Sequence, residues 1–194
     1  KQHAITALIA GFLNENPDMT LQTIEGDSTF VKELLTDGKC DIAFLRSESS
    51  SVKEFNSIPY MIDYLTAVLP ATHPLAKADN LPFEQLRGET FLLFPEHSFI
   101  NDLCIRECRN AGFEPHIAYT GNRGATLIDL VRNGAGITLM MHHSARQEND
   151  SSLAFIPVTP GIYSYISLNY AKEKPLSPQA KSFVRYVKAH KRDF

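Results

Sequence analysis

Apolar and polar positions along this chain follow two alternating periods. Ile5, Leu8, Ile9, Phe12 and Leu13 recur at i, i+3, i+4, i+7 and i+8, the spacing that lays one apolar stripe along a helix. Asn16 and Pro17 end that helix. Residues 19–24 read as a short strand, and Glu25, Gly26, Asp27 and Ser28 turn the chain into a helix carrying Phe30, Val31, Leu34 and Leu35. Asp27 or Ser28 is the expected N-cap, because a short side-chain oxygen there accepts a free backbone N–H. Gly38 stops this helix. The near-continuous apolar run at 40–45 then suits a parallel strand buried on both faces.

A polar, Ser-rich stretch covers 46–56, and a strand at about 64–69 leads to Pro70 and on to His73, Pro74, Leu75 and Ala76. A second series begins there. It comprises a short helix near 82–86, a strand at 90–94, a helix at about 99–111 closed by Gly112, and a strand at 116–120. A helix at 125–133 closed by Gly134, a strand at 137–141, a short helix at 142–147 and strands at 153–158 and 163–170 follow. The last helix has Ser177 as cap, Pro178 in its first turn, and Ala180, Phe183, Val184 and Val187 inward. Strands alternating with helices imply an α/β fold with parallel sheets and right-handed crossovers. Pro70 and Pro160 with Gly161 read as two passages between lobes, giving lobe I from 1–71 and 160–194 and lobe II from 72–159.

Composition narrows the class. With 43% apolar and 21% charged residues, the 194-residue chain can bury a core, and no run approaches the roughly 20 apolar residues of a membrane helix. No secretory pattern opens the sequence. The net charge of −3 is spread evenly, with 7 Lys+Arg against 10 Asp+Glu in 72–159 and 12 against 12 elsewhere, so neither part is a basic nucleic-acid footprint. Three cysteines without paired spacing suit a reducing, cytoplasmic setting.

The segments match a known family in order and spacing. They are Phe12 with Asn16 and Pro17; Glu25 and Gly26; Leu34 and Leu35 followed by Gly38, Lys39, Cys40, Asp41, Ile42 and Ala43; and Val68, Leu69 and Pro70. His73 to Ala76, the Ala111, Gly112, Phe113 helix end with Pro115, Leu130 and Val131 leading to Gly134, Ala135, Gly136 and Ile137, and Pro175 to Pro178 complete the set. Carrying these, the chain resembles the effector-binding (regulatory) domain of LysR-type transcriptional regulators. Two departures stand out. The family's N-terminal winged helix-turn-helix and linker helix are absent here, and the first strand of the lobe would fall before Lys1. The proline that the family usually has near the end of the strand Leu139, Met140, Met141 is replaced by a continuation into His142 and His143.

The resemblance implies two Rossmann-like lobes with a hinge and a central cleft, the type 2 periplasmic-binding-protein-like arrangement. It further implies a small metabolite effector, an organic acid or similar, and a homodimer that is a tetramer in the full-length protein. DNA would be met only through the missing N-terminal domain, and no cofactor is expected. Helix N-termini along such a cleft offer free N–H groups and a favourable dipole to anions. Asp27, Ser28 and Thr29 occupy one; His97, Ser98 and Phe99 a second; Thr120, Gly121 and Asn122 a third. For Asp27, Ser28 and Ser98 plain N-capping is an equal alternative. Arg46, just past the strand at 40–45, stands where some relatives have an arginine that meets a carboxylate, a solvated loop arginine being the alternative. Asp27 would repel an anion, so facing the cleft it would favour an amino-bearing or neutral ligand.

The other reactive residues read as structural. Cys104 and Cys108 lie one helical turn apart, a placement hard to bridge, and are expected as buried thiols. His142 and His143 have no partner spacing for a metal; His73 is expected to shape the hinge. There is no G-x-S-x-G elbow, P-loop or H-E-x-x-H, and Gly134-Ala135-Gly136 lacks a third glycine, so no catalytic constellation emerges. The alternatives are a transporter solute-binding protein, betrayed by an export signal, and an enzyme on the same scaffold, which needs an activated nucleophile.

Overall fold

The computed structural model describes residues 4–145 and 150–190. In chain order it contains α1 (Ala4–Glu15), α2 (Ser28–Thr36), β1 (Ala43–Ser47), β2 (Phe55–Pro70), β3 (Leu81–Pro82) and β4 (Thr90–Leu93). Next come α3 (Phe99–Asn110), β5 (His116–Thr120), α4 (Gly124–Arg132), β6 (Thr138–Met141), α5 (His142–Ala145), β7 (Leu153–Thr159), β8 (Tyr163–Ala171) and α6 (Pro178–Ala189). Short 3-10 helices at Pro74–Lys77 and Phe83–Leu86 flank β3. Residues 4–62 and 164–190 pack as one unit, and 63–145 with 150–163 as another; β2 continues from the first into the second.

In the first unit β1 runs antiparallel to β8, from Ala43 opposite Asn169 to Ser47 opposite Tyr165, and β8 neighbours β2. α1 and α6 supply the apolar cover. Phe12, 1% exposed, meets the ring of Phe183 edge-on at 5.0 Å and that of Tyr186 at 5.4 Å. Asp27 caps α2 by accepting from Thr29 N at 2.8 Å. At the other end Gly38 takes φ +69°, so that Lys39 N reaches Leu34 O at 2.9 Å and Gly38 N reaches Leu35 O at 3.2 Å. That paired closure needs a left-handed residue, which glycine supplies without a Cβ clash.

In the second unit β2 lies between β6 and β7 and is antiparallel to both, while β7 carries β3 in parallel. β4 pairs β5 in parallel and joins β6 through Leu92 N to Ile137 O (2.9 Å) and Ile137 N to Thr90 O (2.8 Å). Alternate residues of these strands face two cores. Phe91, Leu93, Leu139 and Met141 pack with Leu103, Cys104 and Cys108 of α3; Leu92 and Met140 pack with Leu127, Ile128 and Val131 of α4. Helices thus cover both faces, as the alternation of strands and helices requires.

Several expectations are corrected. The sheets are mixed rather than parallel, because β2 enters the second unit as a continuing strand and not through a helical crossover. The run at 40–45 forms a strand only from Ala43, antiparallel and with one face better buried than the other; runs buried on both faces occur instead in β4, in β6 and in the 65–69 part of β2. Residues 19–24 form no strand. Met19 and Leu21 pack on the core, but Ile24 is 51% exposed and the backbone finds no ladder. The helix expected at 142–147 is α5 as far as Ala145; its remaining residues lie outside the described ones.

Candidate functional site

In the first unit the structure brings Ser28 and Arg46 together. Arg46 sits within β1, opposite Ile166 of β8, rather than in a loop past the strand. Its backbone N–H donates to Ser28 Oγ at 3.0 Å, and its Nη1 donates to Ser164 Oγ at 2.6 Å. Ser164 is fully buried. The Ser28 hydroxyl, accepting from a backbone amide, keeps its own O–H and a second lone pair for another partner. Thr29 follows it in the first turn of α2, and Asp27 spends one carboxylate oxygen on capping.

In the second unit the expected residues gather at the C-terminal edge of the parallel β4–β5 pair, the edge where open α/β sheets bind ligands. Gly121 N donates to Leu93 O at 3.0 Å, tying 120–122 to the end of β4. Ser98 caps α3, its Oγ accepting from Asn101 N at 3.3 Å, and its own O–H is kept for another partner. Asn101, 1% exposed, donates its Nδ2 to Phe94 O at 2.8 Å and braces the turn. His97 before the cap adopts φ +64°, uncommon for a residue with a Cβ. Phe99 opens α3; Thr120 and Asn122 are exposed.

Sequence reading missed two residues, Ser164 and Asp63. Ser164 looks like any small residue in a Tyr-rich strand. Asp63 is a fully buried carboxylate whose Oδ1 accepts from Tyr64 N (3.0 Å), His143 N (3.1 Å) and His143 Nδ1 (2.9 Å). His142 stacks on Tyr64 with ring centroids 4.3 Å apart. A lone Asp between Ile62 and Tyr64 in an apolar strand was the available signal. His73 serves locally: Nδ1 accepts from Leu75 N at 3.2 Å and Nε2 lies 3.2 Å from Glu89 Oε2, all inside the second unit.

Among the described residues no group of three or more His, Cys, Asp or Glu is placed to hold a metal ion. Cys104 and Cys108 are buried and unpaired by any disulfide; burial pushes the Cys104 thiol well up, and burial with Glu114 and Glu107 nearby pushes Cys108 to about 12. Thiols so raised are poor nucleophiles. A cavity of about 400 Å³ in the first unit, lined by Leu35, Cys40 and Lys174 among others, lies at the far end of α2 from Asp27 and contains none of the expected contacts. No helix of the described residues is long and apolar enough to cross a membrane.

Comparison with known proteins bears on the family and the fold. The family model "LysR substrate binding domain" matches residues 2–192. The chain is 25% identical over 184 residues to the transcriptional dual regulator GltC of Bacillus subtilis, covering 94% of this chain and 61% of that protein. It is 27% identical to the HTH-type regulator YwbI of the same organism, over 94% of this chain and 61% of the other. The chain therefore spans about three fifths of these relatives. Among solved structures, the CcmR regulatory domain of Synechocystis in complex with 2-PG superposes with a TM-score of 0.88 at 16% identity, covering 97% of this chain and 91% of that one. The effector-binding domain of QuiR in complex with shikimate gives 0.79 at 19% identity, over 98% and 93%. On the family match and the shared type 2 periplasmic-binding-protein-like fold, the chain belongs to the LysR substrate-binding domains, the effector-binding domains of LysR-type regulators.

Proposed function

We propose that this domain senses a small organic acid whose oxyanion is met by hydrogen-bond donors of this chain: Ser28 and Thr29 with Arg46 form one candidate set, and Ser98 with His97, Phe99 and the 120–122 turn another. The carrying observation is the polarity of the two capping-region serines. Ser28 Oγ accepts from Arg46 N and Ser98 Oγ accepts from Asn101 N, so each offers an O–H donor, and Arg46 adds a cationic fork. A ligand oxygen facing either serine can accept from its O–H. This outweighs the repulsion expected from Asp27, whose carboxylate is engaged at its own helix start. The QuiR effector-binding domain is in complex with shikimate, a carboxylic acid, which supports the same class.

In this reading the lobes are 1–71 with 160–194 and 72–159, and ligand binding biases the domain between two conformations. Paired domains of a cytoplasmic homodimer pass that bias to DNA-binding domains N-terminal to this chain. The domain is non-catalytic, as its regulator relatives suggest. A thermal-shift screen with metabolite acids tests it: a ligand of the folded state raises the melting temperature by mass action. Arg46→Ala and Ser98→Ala should each remove that rise, and an unchanged response in both would remove these residues from the site.

A further inference from the structure

We propose that Ser164 is a positioning residue for the effector: its buried hydroxyl holds the Arg46 guanidinium in the orientation from which it meets a ligand oxyanion. The inference rests on Arg46 being an effector contact. Ser164 is 0% exposed, so it acts through Arg46 and not on the ligand. Because Arg46 stands opposite Ile166, Ser164 is its diagonal neighbour two residues away along β8, within reach of a long side chain. The reach is realised in the 2.6 Å bond from Nη1 to Ser164 Oγ, short as charge-assisted bonds are.

The opposite end of the same residue is fixed as well, its backbone N–H bonded to Ser28 Oγ at 3.0 Å. Two serine hydroxyls, one from α2 and one from β8, thus hold a single arginine at backbone and at tip. A guanidinium on a flexible stem loses rotamer freedom when it grips a ligand, and a hydroxyl that holds it beforehand removes part of that cost. Alanine at 164 would leave Arg46 present and charged but no longer pre-aimed. Threonine would keep the hydroxyl.

The experiment titrates the chain with inorganic phosphate at constant ionic strength and follows the Ser28 and Thr29 amides by NMR. Ser164→Ala should weaken phosphate binding about tenfold, and Ser164→Thr should restore most of it. In an Arg46→Ala background Ser164→Ala should have no further effect. Without ligand, the Arg46 side-chain N–H groups should exchange faster in Ser164→Ala than in the parent. Parent-like affinity in Ser164→Ala, or a loss that persists in the Arg46→Ala background, overturns the positioning role. If Arg46→Ala itself binds phosphate as the parent does, or the parent shows no saturable shift, the effector reading of Arg46 fails and the proposal falls with it, even where the exchange data show the Ser164 bond intact.

Discussion

Asp63 Oδ1 accepts both the backbone N–H of His143, at 3.1 Å, and its ring Nδ1–H, at 2.9 Å, which fixes the start of α5 against β2. Since a carboxylate only accepts, Nδ1 carries the proton. Asp63 is fully buried and also takes Tyr64 N–H. Asp63→Ala strands these donors and should cost about 2–4 kcal/mol in urea unfolding. Asp63→Asn keeps an acceptor and should cost clearly less; equal losses would contradict this account of the site.

Thr138 supplies the opposite case. Its Oγ1 is buried and has no hydrogen-bond partner among the described residues. Thr138→Val removes the stranded hydroxyl at nearly constant shape, and should stabilise the chain by about 1 kcal/mol. Melting and urea midpoints should both rise; a fall would mean that the hydroxyl has a partner.

Gly136 and Gly38 should differ under the same substitution. A Cβ at Gly136 would run into the backbone oxygen of Thr90, in the strand it bridges, whereas at Gly38 the nearest atom is the tip of Lys174 at 3.8 Å. Gly38→Ala meets only the left-handed backbone, about 1 kcal/mol. Gly136→Ala adds a clash with neighbouring backbone and should cost about 3 kcal/mol. Unfolding free energies of the two variants decide it.

The buried thiols predict a pH effect. The folded chain raises Cys108 from an ordinary 9.0 to about 12, through burial first and then Glu114 and Glu107, and burial raises Cys104 as well. A raised thiol contributes stability that is whole below pH 9 and is lost as pH climbs toward the folded value. Cys108→Ala should therefore flatten the decline in stability between pH 9 and about 12 relative to the parent. Identical slopes would remove the thiol from the explanation.

Much of the second unit was legible because its helices carry their own punctuation. Ser98 before α3 and Gly112 and Gly134 after α3 and α4 are local signals, and the structure places each where its chemistry requires. The pairing of the strands was not legible. Nothing local tells β2 that it will continue from one unit into the next and lie antiparallel to β6 and β7, and residues 19–24 have strand-like composition without a neighbour to bond. The site shows the same division. Ser28, Arg46 and Ser98 could be picked as candidates from polar residues at or near element ends, while Ser164 meets Arg46 only in the fold, across 118 positions.

The most direct test is an NMR titration of the chain with a panel of small acids that includes 2-phosphoglycolate and shikimate. At least one acid should shift the amides of Ser28 and Thr29, or those of Ser98 and Gly121, saturably. Shifts confined to the Cys40 and Lys174 cavity, or no saturable shift with any acid, would contradict it.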